Sequence, residues 1–205
     1  MGMIMKKIVI ALIVLIIFFS IFPISKTDPM DACVLLTDGG GHGSGFAIRP
    51  DLIVTAGHVV DIPNLSVVDN KGNTYKIITS WRSKTQDIGF VWIDGKLPVT
   101  VKFGSIPHLL DKTYLVGAPF SPIMINNITM GMVSHMDIDI SHWDNLIVTD
   151  AYCAPGSSGG PLFDNNWKVI GMCVMGFTRD GGMACCEPVT DIEIELQKCL
   201  DERCW

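Results

Sequence analysis

Beyond residue 33 the chain is written in short apolar or alternating runs: Val34–Leu36, Phe46–Ile48, Leu52–Thr55, Ser66–Val68, Tyr75–Ile78, Ile88–Ile93, Thr113–Val116, Asn127–Val133, Leu146–Val148 and Val169–Val174, separated by Gly, Pro, Asn and Asp. Runs of this kind predict short strands, and strands at this spacing predict a sandwich or barrels. Near the end the period changes. Thr190 and Glu193 stand in a capping-box pattern, and Ile192, Leu196 and Leu200 recur at helical spacing, which predicts one helix over about 190–200 with an apolar face.

The N-terminal pattern is different again. After Lys6 and Lys7 the chain runs uncharged from Ile8 to Ser25, dominated by Ile, Leu, Val and Phe. A bilayer-spanning helix needs about 20 apolar residues, with a lower limit of about 17, and this run is long enough. A cleaved signal peptide would carry a shorter apolar region with small residues at the cut. A cut after Ser25 or Ser20 would put Pro23 or Phe18 three residues into the peptide, a poor cleavage context. An uncleaved membrane anchor is therefore favoured, and cleavage to a secreted protein is the alternative. The basic pair keeps the N-terminal side in the cytoplasm and the remainder outside it. On this reading residues 1–28 are a signal anchor or signal peptide, and 29–205 are one folded domain.

Composition agrees with a compact enzyme. With 205 residues, 48% hydrophobic and 18% charged, the chain can bury a core in one domain or in one domain built from two sub-barrels. The formal net charge is −6 and no Lys/Arg cluster exceeds a pair, which excludes a surface that tracks phosphates, and so a nucleic-acid partner. All seven cysteines, at 33, 153, 173, 185, 186, 199 and 204, lie beyond the apolar run. An extracytoplasmic domain could use them as disulfides, with an odd thiol left over. Cys185–Cys186 and Cys199 with Cys204 match no strong zinc spacing, so no metal is assigned.

The richest string is Cys153-Ala154-Pro155-Gly156-Ser157-Ser158-Gly159-Gly160-Pro161-Leu162-Phe163. A serine is unreactive at its ordinary pKa. It becomes a nucleophile when a base lies within hydrogen-bond reach and backbone N–H groups face the oxyanion it creates. Glycines around Ser158 permit such a turn, whereas an ordinary Gly-Ser loop is the plain alternative. Two other strings favour the first reading. Leu52 to Val60 places His58 at the end of an apolar strand, and Gln86 to Ile93 places Asp87 ahead of another. Each alone reads as well as a core histidine or a turn aspartate, but the order His58, Asp87, Ser158 in strand-flanked contexts fits a catalytic triad.

With these strings the sequence resembles the trypsin-like serine proteases, and among them the HtrA/Deg-type proteases. The resemblance rests on Gly43-Ser44-Gly45-Phe46 with Val54 to Val60, on Asp87 to Val91, on Val116 to Phe120 with Thr129 to Ser134, and on Thr149 to Leu162. It extends over roughly residues 33–200. The sequence departs from the family at Ser157, where Asn is common, and at Ala56-Gly57, where Asn-Asn or Ala-Ala/Ser is common; the PDZ domain usual in the family is not expected within these 205 residues.

The resemblance implies an all-β fold of two antiparallel six-stranded β-barrels with a short C-terminal helix: barrel one over about 33–94, a linker over about 95–111, barrel two over about 112–188. It implies a cleft between them with His58, Asp87 and Ser158 as the triad and the N–H groups of Gly156 and Ser158 as the oxyanion hole. It places Cys153 on a wall of the S1 pocket, where a bridge to Cys185 or Cys186 and burial as a thiol are equally simple. Val174, Met175 and Gly176 resemble the strand that pairs with an extended polypeptide substrate. Tyr152 stands where trypsin-type enzymes carry Asp, so a small or medium apolar P1 residue is expected. The family further implies a homotrimer and needs no cofactor. Asp150 is the rival carboxylate and matches a structural position, and His42, in a Gly-rich stretch, reads as a solvated turn residue. A membrane-tethered peptide-binding module that has lost its activity is the alternative function.

Overall fold

A computed structural model describes residues 28–140, 143–177 and 182–203. The apolar run before Pro29 lies outside the described residues. No helix among the described residues is long and apolar enough to cross a membrane.

Two closed barrels organise the chain. The first joins β1 (Cys33–Thr37), β2 (His42–Arg49), β3 (Leu52–Ala56), β4 (Ser66–Asp69), β5 (Thr74–Arg82) and β6 (Ile88–Ile93) in the order β1-β2-β3-β6-β5-β4. The second joins β7 (Lys112–Gly117), β8 (Asn127–Ile140), β9 (Trp143–Cys153), β10 (Pro161–Phe163), β11 (Val169–Gly176) and β12 (Gly182–Pro188) in the order β10-β11-β12-β9-β8-β7. Every named pairing is antiparallel. β3 is buried along its whole length, whereas β5 alternates exposed and half-buried positions. The continuous run of Leu52–Ala56 therefore makes a central strand, and the alternation of β5 marks a strand with one wet face.

The connection between the barrels is fastened to both. Leu97 N donates to Pro50 O at 2.7 Å and Val101 N to Ala47 O at 2.9 Å on the first barrel; Gly104 N donates to Val169 O at 2.8 Å and Val169 N to Lys102 O at 2.9 Å on the second. One apolar cluster runs through both barrels and takes in Phe46, Phe90, Phe163 and Ile192. The described residues end in α2 (Val189–Arg203), which follows α1 (Gly57–Val60). Ile192 and Cys199 of α2 are fully buried, and Trp81 Nε1 donates to Glu202 Oε2 at 2.6 Å, so the helix closes onto barrel one as well as barrel two.

Several sequence expectations are corrected. β10 was not among the apolar runs, because it is short and begins with Pro161, which reads as a turn. β8 and β9 extend well past Asn127–Val133 and Leu146–Val148 as a hairpin whose extension alternates polar residues with Ile138, Ile140 and Trp143, which pack against the core. Thr190 does not cap α2: the helix follows directly on β12 at Pro188, so Thr190 already lies in its first turn and its hydroxyl donates to Asp191 Oδ1 at 3.4 Å.

The six described cysteines are all buried free thiols. Register explains why Cys153 does not bridge to Cys185 or Cys186. Cys153 pairs with Gly182 across β9 and β12. Cys185 is three residues farther along β12, about 10 Å at the rise of a strand, whereas a disulfide needs Cα atoms within about 7 Å.

Candidate active site

α1 is a single turn that carries His58 out of the buried end of β3. Asp87 precedes β6, the neighbour of β3, and pairing of Ala56 with Ile88 sets the two side by side. The contact between them is double. Asp87 Oδ2 lies 2.6 Å from His58 Nδ1, and Asp87 Oδ1 accepts the His58 backbone N–H at 2.8 Å. Gly57 N also donates to Asp87 O at 2.9 Å. The departure Ala56-Gly57 has a steric reason, since a Cβ on Gly57 would sit 3.0 Å from both Asp87 Oδ1 and Arg82 Nε. The His58 side chain is 46% exposed and that of Asp87 only 6%. A buried acid thus orients an imidazole whose other face is open. Burial raises the Asp87 pKa, but the hydrogen bond and charge of His58 outweigh it, with the His58 backbone N–H and Arg82 adding to them, so the carboxyl stays below the usual range.

Ser158 comes from the opposite barrel, on the turn between β9 and β10. Ser44 N on β2 donates to Ser158 O at 2.7 Å, and Ser158 Oγ donates to Val174 O on β11 at 3.3 Å. A Cβ at Gly43 would lie 2.5 Å from Val59 Cγ2 and 3.2 Å from Ser158 O, so the serine turn abuts the helical turn of His58. The turn needs its glycines. Gly156 and Gly159 have φ of +99° and +87°, and a Cβ on Gly159 would stand 2.0 Å from Ser44 O.

The peptide planes that carry the Gly156 and Ser158 N–H groups are both held by their carbonyls. Phe120 N donates to Pro155 O at 2.7 Å, and Gly160 N donates to Ser157 O at 2.9 Å. In a trans peptide the N–H points opposite the C=O, so anchoring each carbonyl sets the direction of the donor. Ser157 is buried and its Oγ accepts from Ala154 N at 3.3 Å, a structural use for the residue beside Ser158.

Beside the His58–Asp87 pair lies a cavity of about 710 Å³, bordered by those two residues and by Arg82, Lys84, Trp143 and Val174. Val174 is buried, Met175 and Gly176 are half-buried at the end of β11, and Cys153 donates to Met175 O at 3.5 Å. Contact with Cys173 and burial push the Cys153 thiol up, so it stays protonated and is no rival nucleophile. Asp150 is exposed and accepts the Met132 N–H at 2.6 Å, away from His58, which pairs with Asp87. Among the described residues no group of His, Cys, Asp or Glu is placed to hold a metal ion.

The family enters with this geometry. Residues 43–172 match the trypsin-like peptidase domain family. The chain belongs to that family. Among similar proteins are a probable periplasmic serine endoprotease, DegP-like, of Rickettsia conorii, 38% identical over 142 residues and covering 63% of this chain and 27% of that protein, and the corresponding protein of Pseudomonas savastanoi, 35% identical over 148 residues and covering 68% and 30%. The chain spans less than a third of the length of these relatives. Solved structures similar in fold include an HtrA-type protease with tripeptide, TM-score 0.72 at 23% identity, covering 85% of this chain and 61% of that one, and the serine endoprotease from Yersinia pestis, TM-score 0.72 at 22% identity, covering 83% and 63%.

Three residues of this trypsin-like peptidase domain escape sequence reasoning. His42 is not a solvated turn residue: it begins β2, half-buried, and its Nε2 lies 3.0 Å from Ala118 O. Ser44 ties the barrels together. Its Oγ donates to Gly156 O at 2.7 Å and accepts from Ala118 N at 3.0 Å. Glu187 lies behind Asp87, fully buried, with Oε1 accepting the Asp87 N–H at 3.2 Å. Their partners are distant in sequence, and a string of neighbours carries no sign of them.

Proposed function

We propose that the protein is a serine endopeptidase that hydrolyses polypeptides through His58, Asp87 and Ser158. The observation that carries this reading is the double contact of buried Asp87 with His58. Asp87 accepts a hydrogen bond from the Nδ1–H of His58, which fixes the tautomer and leaves Nε2 free to act as base. Ser158 loses its proton to Nε2 and attacks the peptide carbonyl, and the oxyanion forms against the N–H groups of Gly156 and Ser158. His58 then gives that proton to the leaving amine as the C–N bond breaks. Water, deprotonated in turn by His58, attacks the acyl-enzyme and releases Ser158.

The substrate lies extended along Val174, Met175 and Gly176, where main-chain hydrogen bonds give affinity. Cys153 stands at the S1 wall as a buried thiol, and Tyr152 is exposed against Phe120, with ring centroids 6.4 Å apart. With no acid at these positions, a small or medium apolar P1 residue fits. The uncharged run at residues 8–25 supports an anchor with the domain on the extracytoplasmic side, and the periplasmic description of the relatives supports the same compartment. Processing or quality control of proteins at a membrane, in a homotrimer, follows from the family resemblance.

Fluorophosphonate labelling tests the reading. The expected result is a covalent adduct on Ser158. A folded protein that binds peptides and takes no label is the inactive module instead.

A further inference from the structure

The His58–Asp87 pair is backed by an acid that the mechanism does not use. Glu187 lies at the end of β12, is fully buried, and accepts the Asp87 backbone N–H through Oε1 at 3.2 Å. Its Oε2 is also buried and has no hydrogen-bond partner among the described residues. A charged carboxylate in this place would have one N–H to offset its loss of water, and such a group keeps its proton instead.

The surroundings act in the same direction. Asp87 from the segment before β6, and Asp191 and Glu195 from α2, all oppose ionisation of Glu187. The nearby cations are engaged elsewhere: Lys198 Nζ meets Glu195 Oε1 at 2.5 Å, and Arg82 on β5 pairs with Asp61 and acts on Asp87. On β11 the cross-strand partner is Met172, which carries no charge. His58 stands on the far side of Asp87.

We propose that Glu187 is a positioning residue for the reaction at Ser158: as an uncharged carboxyl it holds the Asp87 main chain, and through it the Asp87–His58 pair, and its ionisation disables that pair. The inference rests on the triad reading above. Burial pushes Glu187 up to about 8, while Asp87 stays below the usual carboxylate range. Near neutral pH only one of the two adjacent acids is charged. Above that value both are, with the peptide N–H of Asp87 between them. Like charges this close repel strongly in a poorly hydrated interior. Relief requires either a shift of the Asp87 main chain or entry of water, and both loosen the contact to Nδ1. The domain thus has an alkaline limit set by a group outside the triad.

The test is the rate of fluorophosphonate labelling of the full-length chain from about pH 6 to about pH 10, with folding followed by circular dichroism. The wild type should lose rate above about pH 8, approaching about tenfold per pH unit as the protonated form disappears. Glu187→Gln keeps a neutral acceptor for the Asp87 N–H, so it should label at the wild-type rate near neutrality and show no such alkaline fall. Glu187→Leu should label several-fold more slowly at every pH, with unchanged half-saturation by the probe. An alkaline fall retained in Glu187→Gln overturns the role of Glu187 even if the leucine variant fails to fold. Wild-type speed in Glu187→Leu does the same. A wild type that takes no label at any pH overturns the triad reading and this one with it, whereas labelling that is lost in Ser158→Ala leaves the triad standing whatever the Glu187 variants do.

Discussion

Ser44 of the first barrel donates its hydroxyl to the carbonyl of Gly156 in the second at 2.7 Å, and the same oxygen accepts the N–H of Ala118 at 3.0 Å. One small side chain thereby fixes the serine turn relative to β3, which Ser44 O also meets through Thr55 Oγ1 at 2.7 Å. Replacing Ser44 with Ala leaves a buried carbonyl and a buried N–H without partners. A loss of about 1–3 kcal/mol is expected for such groups. Denaturant unfolding should show it, and labelling of Ser158 should slow while the His58–Asp87 contact persists. Unchanged stability and rate would remove Ser44 from this role.

Ser158→Ala should abolish hydrolysis and leave the fold intact, because the half-buried hydroxyl makes only a 3.3 Å bond to Val174 O. Ser157→Ala should retain most activity and lose about 1 kcal/mol, the net worth of a typical internal hydrogen bond. Peptide hydrolysis and thermal unfolding of both variants check the assignment. Equal loss of turnover in the two would show that Ser158 is not the nucleophile.

Asp87→Asn should lower kcat by about 10⁴, the size seen when the same change is made in a trypsin-type triad. Asp87 has a folded-state pKa below its unfolded value. Its stabilising contribution is therefore complete above the unfolded pKa and is lost as pH falls through the lower folded one. The wild type should lose stability at acid pH more steeply than Asp87→Asn, measured by unfolding midpoints along a pH series.

Glu187 works in the opposite sense. Its folded-state pKa of about 8 lies above the ordinary value of 4.5. The folded protein then holds a proton that the unfolded chain has released, so this group's contribution is complete below the unfolded pKa and is lost as pH rises through about 8. Glu187→Gln should flatten the decline in melting temperature between about pH 4.5 and about pH 8. A decline of wild-type slope in the variant would show that Glu187 does not bind the proton.

Intact mass combined with protease protection on sealed vesicles tests the N-terminal reading. The full-length mass should be recovered, and the domain should be shielded in vesicles with the cytoplasmic face outward. A mature chain starting between Ser20 and Asp31 would identify a cleaved signal peptide instead.

The local strings determine a good deal. Alternating and continuous apolar runs fall on most of the strands, because burial on one or two faces of a sheet is written at period two or as an unbroken run. The settings of His58, Asp87 and Ser158 are legible for a similar reason: each depends on a few adjacent residues, such as the glycines that let the serine turn reach positive φ. Where reading fails, the cause is long range. β10 is too short to show a period, and Thr190 looks like a cap until the preceding Pro188 brings the chain into the helix from a strand. Ser44 finds Gly156 at a separation of 112 residues, His42 finds Ala118 at 76, and Glu187 finds Asp87 at 100. Sequence by itself thus determined the periodicity, the turns and the candidate side chains of the site. Only the tertiary structure decided which buried polar groups meet, because burial removes water as a partner and each group must then be satisfied by whatever the closing of two barrels brings beside it.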